Sequence, residues 1–258
     1  MRFSVLASGS SGNALYVETA ETGILIDAGL SCKETLRRLE TVGVDSEKID
    51  ALVLTHEHTD HIRGAGPVAR RLGIPVYANR STLEQSARTL GNLPEHVLFR
   101  TGNALTIGDL TVETFTKCHD AADPVGLVVS VDGMRLGMIT DLGRSTRLVE
   151  ERLKGCQALV MEFNHDLDLL EQGSYPVPLK QRIRGPEGHL SNDQAQDLIR
   201  ALAHEGLRVL IPAHMSRENN RPEMAYRQAE RVMAGCGLGR SRIEVSLQDE
   251  PLALIELR

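Results

Sequence analysis

Tryptophan is absent and only four Phe and four Tyr occur in 258 residues. An aromatic platform for stacking single-stranded bases, which interleaves several rings with basic side chains, is therefore not expected, and the core must be aliphatic. No stretch approaches the roughly 18 consecutive apolar residues of a membrane span. Arg2 ahead of Phe3-Ser4-Val5-Leu6-Ala7 imitates a signal peptide, but the apolar run is short and dissolves into Ser8-Gly9-Ser10-Ser11-Gly12-Asn13. The four cysteines, Cys32, Cys118, Cys156 and Cys236, form no C-x-x-C pair, as expected of reduced structural thiols in a cytoplasmic protein. Nor is there an excess of positive charge: 29 Lys+Arg against 35 Asp+Glu leave a net charge of −6. Indiscriminate polyanion binding is excluded, and any nucleic-acid role must rest on a local basic groove.

What is present is the pattern of a soluble globular chain, with 41% hydrophobic and 25% charged residues. Short apolar runs read as strands at residues 3–6, 14–17, 23–26, 51–54, 75–77, 110–115, 126–131, 135–139, 158–161, 209–211, 243–245 and 252–255. Asp132-Gly133 between two of them signals a hairpin. Helical patterns fall at 31–41, where Ser31 and Glu34 suggest a capping box, and at 64–71, 81–90, 145–153, 191–204 and 222–234. Hairpins are too frequent for a doubly wound parallel sheet, so two packed sheets with helices outside are expected. No repeat, low-complexity tract or linker divides the chain, and residues 1–258 read as one domain.

The strongest chemical signal is Thr55-His56-Glu57-His58-Thr59-Asp60-His61, which follows the apolar run ending at Leu54. In extended backbone His56 and His58 point to one side, while Asp60 and His61 turn toward a neighbouring point as a helix begins. Three imidazoles and a carboxylate so close together call for metal or protons. This is not the H-E-x-x-H helix of zinc peptidases: Asp60 stands where that motif needs its second His, and Glu57 gains no general-base role.

The H-x-H-x-D-H segment resembles the signature of the metallo-β-lactamase-fold hydrolases, whose architecture is a four-layer αββα sandwich of two β-sheets flanked by helices. Four further stations stand in family order: upstream, Asp27 in Leu25-Ile26-Asp27-Ala28-Gly29, and downstream, His119 after a strand, Asp141 in Ile139-Thr140-Asp141-Leu142-Gly143, and His214 in Pro212-Ala213-His214. The resemblance implies two divalent metal ions, one held by His56, His58, His119 and Asp141, the other by Asp60, His61, Asp141 and His214, with Asp27 supporting the signature loop from behind. Imidazole and carboxylate ligands favour Zn2+ and accept Mn2+ or Fe2+. No cysteine falls at a ligand position, so antibiotic hydrolysis is not expected.

The remaining motifs bear on the substrate. The small residues Ser8, Ser10, Ser11 and Asn13 lie in a loop able to approach an anion, and His189 in Gly188-His189-Leu190-Ser191 precedes a helix start capped by Ser191. Together with Asn164-His165-Asp166 and Met215-Ser216-Arg217, these segments resemble the YycJ/WalJ-type branch of the fold. That resemblance implies a cytoplasmic DNA exonuclease acting from the 5′ end with a metal-bridging hydroxide as nucleophile. Asp60 would orient the nucleophile, and His189 or His165 would serve the phosphoryl charge or the leaving group. Lys180, Arg182, Arg184, Arg217 and Arg221 would track phosphates. A phosphodiesterase acting on a small cyclic phosphate remains the nearest rival, ahead of a thioesterase and a nonhydrolytic metal sensor.

Overall fold

In the computed structural model, which describes residues 1–257, the apolar runs become two sheets. The first holds β1 (Arg2–Ala7), β2 (Ala14–Glu18), β3 (Gly23–Ile26), β4 (Ala51–Val53), β5 (Val76–Asn79) and β6 (His96–Phe99). The second holds β7 (Ala104–Ile107), β8 (Leu110–Thr116), β9 (Val125–Val131), β10 (Met134–Ile139), β11 (Ala158–Glu162), β12 (Val209–Ala213) and β13 (Arg242–Ile243). A last strand, β14 (Ile255–Glu256), returns to pair with β1. In each sheet an antiparallel meander, β1-β2-β3 or β7-β8-β9-β10, passes into a parallel array, β3 to β6 or β10 to β13. Helices occupy the connections: α1 (Cys32–Thr41), α2 (Thr59–Ile62), α3 (Ala65–Leu72), α4 (Arg80–Leu90), α5 (Arg147–Leu153), α6 (Leu167–Gln172), α7 (Val177–Arg184), α8 (Asn192–Leu202) and α9 (Pro222–Gly235).

The layering follows from strand periodicity. Side chains alternate between faces, so Leu15 and Val17 of β2 enter the core between the sheets while Ala14 and Tyr16 face the outer helices. Likewise Ala158 and Val160 of β11 point inward, and Leu159 and Met161 pack with residues of α5, α8 and α9. Covering both faces explains why the parallel strands read as continuous apolar runs. The result is the four-layer αββα sandwich that the motifs implied. Each fully buried Leu, Ile, Val or Phe contributes about 1.5–3 kcal/mol.

Asp132 and Gly133 both take positive φ (49° and 77°), as a tight two-residue hairpin with the twist of its strands requires. Ser31 caps α1, but Glu34 does not complete a capping box; its carboxylate binds Arg37 and Arg38 instead. The full box occurs at α8, between Ser191 and Gln194. Strands β6 and β7 and helices α6 and α7 were not anticipated. The first two are half-exposed, α6 buries only Leu170, and α7 buries none of its residues, so none carries a readable apolar stripe. Among the described residues, no helix is long and apolar enough to cross a membrane.

Candidate metal centre

The chemistry-bearing residues gather where strands of both sheets end. Asp27 follows β3, the signature segment follows β4, His119 comes shortly after β8, Asp141 follows β10, Glu162 ends β11 and His214 follows β12. Asp27, Asp141 and His214 all adopt left-handed backbone, with φ of 59°, 54° and 53°. This conformation is costly for a residue with a Cβ and is found where function requires a particular aim. It turns each side chain sharply out of its strand toward the common centre.

There the donor atoms form two adjoining groups. His58 Nδ1 lies 3.2 Å from His119 Nε2, which is 3.7 Å from Asp141 Oδ1. On the other side His61 Nε2 is 3.3 Å from Asp141 Oδ2 and 3.5 Å from Asp60 Oδ2, and His214 Nε2 is 3.3 Å from Asp141 Oδ1. A tetrahedral site with bonds of ~2.0–2.1 Å places its ligand atoms roughly 3.3 Å apart, so these spacings suit cations. Asp141 reaches both groups with its two oxygens. His56 Nε2, His214 Nε2 and Asp141 Oδ2 are buried and have no hydrogen-bond partner in the protein. Left unpaired, each such atom costs about 1–3 kcal/mol, and a pair of divalent cations sharing Asp141 would satisfy all three.

The far side of each imidazole is engaged as well. Asp27 accepts hydrogen bonds from Thr55 N (2.8 Å), Thr55 Oγ1 (2.7 Å) and His61 Nδ1 (2.7 Å), which presents His61 Nε2 to the centre. Glu162, fully buried, does the same for the second sheet. It accepts from the backbone N–H groups of Asp141 (3.1 Å), Leu142 (2.9 Å) and Leu190 (2.9 Å), and from Nδ1 of His189 (2.8 Å) and His214 (3.0 Å). Sequence reasoning missed this residue. Its signal was a carboxylate ending the apolar run Ala158-Leu159-Val160-Met161, the counterpart of Asp27 after Ile24-Leu25-Ile26. Lys117 was missed too; its buried Nζ donates to Thr140 O at 2.7 Å and lies 3.9 Å from Asp141 Oδ2.

Burial pushes the pKa of His56 well below the usual imidazole range and that of His119 down to about 4. Burial opposes a charged His214 as well, but Asp141, Asp60 and Glu162 outweigh it and raise its pKa to about 10. For His61 the carboxylates of Asp141, Asp27 and Asp60 likewise overcome desolvation and hold its pKa well above the ordinary value.

The expected substrate residues divide. Ser10, His58, Asp60, His119, Asp141, Arg182, His189 and His214 all line one cavity of about 180 Å³. Ser8 and Asn13 do not, because both are buried supports: Ser8 Oγ accepts from His214 N at 2.7 Å, and Asn13 Nδ2 donates to Asp60 Oδ2 at 3.0 Å. Ser11 donates its N–H to Gln248 Oε1. Lys180 and Arg184 both bind Glu171 instead of facing the cavity. Arg217, paired with Asp249, and Arg221 line a separate surface groove. His165 is buried, lines none of the cavity, and is pushed down to about 4 by desolvation, leaving it a neutral ring that does not reach the reacting space.

Residues 22–215 match the beta-lactamase superfamily domain. The chain is 37% identical to exodeoxyribonuclease YycJ of Bacillus anthracis over 241 residues, covering 93% of this chain and 91% of that protein. It is also 37% identical to exodeoxyribonuclease WalJ of Streptococcus pneumoniae, covering 92% and 90% of the two chains. Among solved structures, the metallo-beta-lactamase fold protein YhfI from Bacillus subtilis superposes with a TM-score of 0.75 at 17% identity, covering 97% of this chain and 98% of that one. Motif order, layered fold and end-to-end similarity converge: the chain belongs to the beta-lactamase superfamily, in the branch that holds the YycJ and WalJ exodeoxyribonucleases.

Proposed function

We propose that this chain is a metal-dependent phosphodiesterase that removes nucleotides from DNA, acting from the 5′ end as its motifs imply. The observation that carries the reading is the cluster of buried, unpartnered donor atoms facing a cavity that also holds His189. The names of the 37% identical relatives supply the substrate class. We take residues 1–258 as a single domain working in the cytoplasm with its four cysteines reduced.

His56, His58, His119 and Asp141 would hold one divalent cation and Asp60, His61, Asp141 and His214 a second, Zn2+ by preference and Mn2+ or Fe2+ as alternatives; the triads His56-His58-His119 and Asp60-His61-His214 each bring their ligand atoms within 4.8 Å of one another, and Asp141 stands beside both. Cations bound there supply Lewis acidity, making a water acidic at neutral pH and neutralising charge on the phosphate. Asp60, held by Asn13, remains a carboxylate and can only accept, so it orients the O–H of the attacking water. His189 gives Nδ1 to Glu162, which leaves Nε2 as the nitrogen free to serve the cavity. When the ring also carries a proton on Nε2, as an imidazolium held by Glu162, it donates that proton to a nonbridging oxygen or transfers it to the leaving oxygen and returns to the neutral ring. Arg182, on the cavity rim, binds a phosphate of the incoming chain.

Two predictions follow from how the support is arranged. Glu162→Gln preserves volume but replaces one accepting oxygen with a donor facing several N–H groups. Metal affinity is expected to fall about 10–100-fold, measured by chelator competition, and unchanged affinity would remove Glu162 from the centre's support. Replacing Lys180, Arg182 and Arg184 together by Ala should flatten the dependence of binding on salt. Because Arg182 alone of the three lines the cavity, the log-log slope on single-stranded DNA should fall by about 0.7, the value for one lost phosphate contact. A fall three times larger would bring Lys180 and Arg184 back into the track.

The cavity's small size also admits a reading in which the substrate is a small cyclic or free phosphodiester. Incubating metal-reconstituted protein with end-labelled DNA, RNA and cyclic mononucleotides side by side separates the two. Stepwise shortening of DNA supports the nuclease, and turnover of mononucleotides alone refutes it.

A further inference from the structure

Helix α7 has no burial of its own to account for its position, yet Leu179, Arg182 and Ile183 form one wall of the cavity. Leu179 and Ile183 are one turn apart and share a helix face. The wall is anchored at its C-terminal end. His189 N donates to Ile183 O at 2.9 Å, and Arg184 Nη1 binds Glu171 Oε2 at 2.9 Å. Gly188 passes so close that a Cβ there would meet Arg182 O and Ile183 O at 2.2 Å. Across the mouth, Arg182 Nε donates to Asp120 Oδ2 at 2.7 Å, and Asp120 N donates to Glu187 O at 3.0 Å. The loop that follows His119 is thereby joined to α7, and the space above the candidate centre is closed on that side.

Closure on one side has a consequence for polymer substrates. Pockets that enclose a drug-sized ligand run to roughly 300–1,000 Å³, whereas this cavity is about 180 Å³. It has room for a phosphodiester but not for the nucleosides on both sides of it. An internal phosphodiester would need two exits for the continuing chain, and α7 with the Arg182–Asp120 bridge stands on one side of the cavity. Building on the nuclease reading, we propose that the wall formed by Leu179, Ile183 and the Arg182–Asp120 bridge is the determinant of end selectivity. It confines cleavage to a chain terminus and excludes internal sites. Arg182 is 64% exposed, so the bridge contributes little stability and can be removed without endangering the fold. It uses Nε and Nη2 of Arg182, so Nη1 can meet a substrate phosphate while the bridge stays closed.

The test compares a covalently closed single-stranded DNA circle with the linear strand of the same sequence, using full-length metal-reconstituted protein. Two variants are needed, Leu179→Ala/Ile183→Ala to lower the wall and Asp120→Asn to release the bridge, each checked for an unchanged melting temperature. Wild type should degrade the linear strand and leave the circle intact. Nicking of the circle relative to linear degradation should rise about tenfold or more in at least one variant. Two results overturn the inference while sparing the nuclease reading: wild type nicks the circle as fast as it degrades the linear strand, or the ratio stays at the wild-type value in both variants. If wild type cleaves a small chromogenic phosphodiester but neither DNA, the nuclease reading itself fails and takes this inference with it.

Discussion

Asp141→Asn protein is expected to emerge from metal reconstitution with far less bound metal than wild type, whose content should be about two ions per chain, and with no measurable phosphodiester cleavage. The reason is the position of one carboxylate between two donor groups, with Oδ1 3.7 Å from His119 Nε2 on one side and Oδ2 3.3 Å from His61 Nε2 on the other. A neutral amide offers one oxygen and a donor in its place, so neither group keeps its full set of anionic ligands. Asn is preferred to Ala for this test on two grounds. The φ of 54° suits Asn but strains Ala. Ala would also leave Lys117, His61 and His214 beside an empty space, and breaking a buried charge cluster can cost ~3–5 kcal/mol. Metal analysis of clean protein decides the matter: wild-type content near one ion with full activity, or an Asp141→Asn variant that retains its metal, contradicts the bridging role.

His189→Ala should behave in the opposite way, keeping its metal while losing about 10²- to 10⁴-fold in turnover, the usual contribution of a positioned acid or base. The ring lines the cavity and is aimed by Glu162 at 2.8 Å. Its removal leaves Glu162 still bound to His214 and to three backbone N–H groups, so the support of the centre survives. The pair of measurements is what discriminates. Reduced turnover with full metal content places His189 at the reacting phosphate, reduced turnover with lost metal assigns it to the scaffold, and unchanged turnover removes it from the mechanism.

The difference between His189 and His165 illustrates how far the chain could be read before folding was considered. Both stand in short polar segments, His165 after β11 and His189 after α7, and both were candidates for the same proton. Burial separates them: His189 is part of the cavity, whereas His165 is enclosed behind it with neither ring nitrogen hydrogen-bonded. The same holds for Ser8 and Asn13, which resemble an anion loop in sequence but act as supports behind His214 and Asp60. Lys180 and Arg184 resemble partners of Arg182 but are drawn to Glu171.

Sequence alone determined most of the strand runs, the Asp-Gly hairpin, the layered class and the cluster His56, His58, Asp60 and His61, while His119, Asp141 and His214 were implied by the family resemblance. The first group depends on local periodicity, on turn chemistry and on a signature whose spacing is set within one strand end. Tertiary structure alone decided which carboxylates stand behind the imidazoles, which basic side chains remain available and where the cavity is closed. Glu162 acts through residues 20 to 52 positions away in the chain, and the wall made by α7 meets a loop 62 positions earlier. Such partners are chosen by the packing of two sheets against each other, and no short-range pattern records that choice.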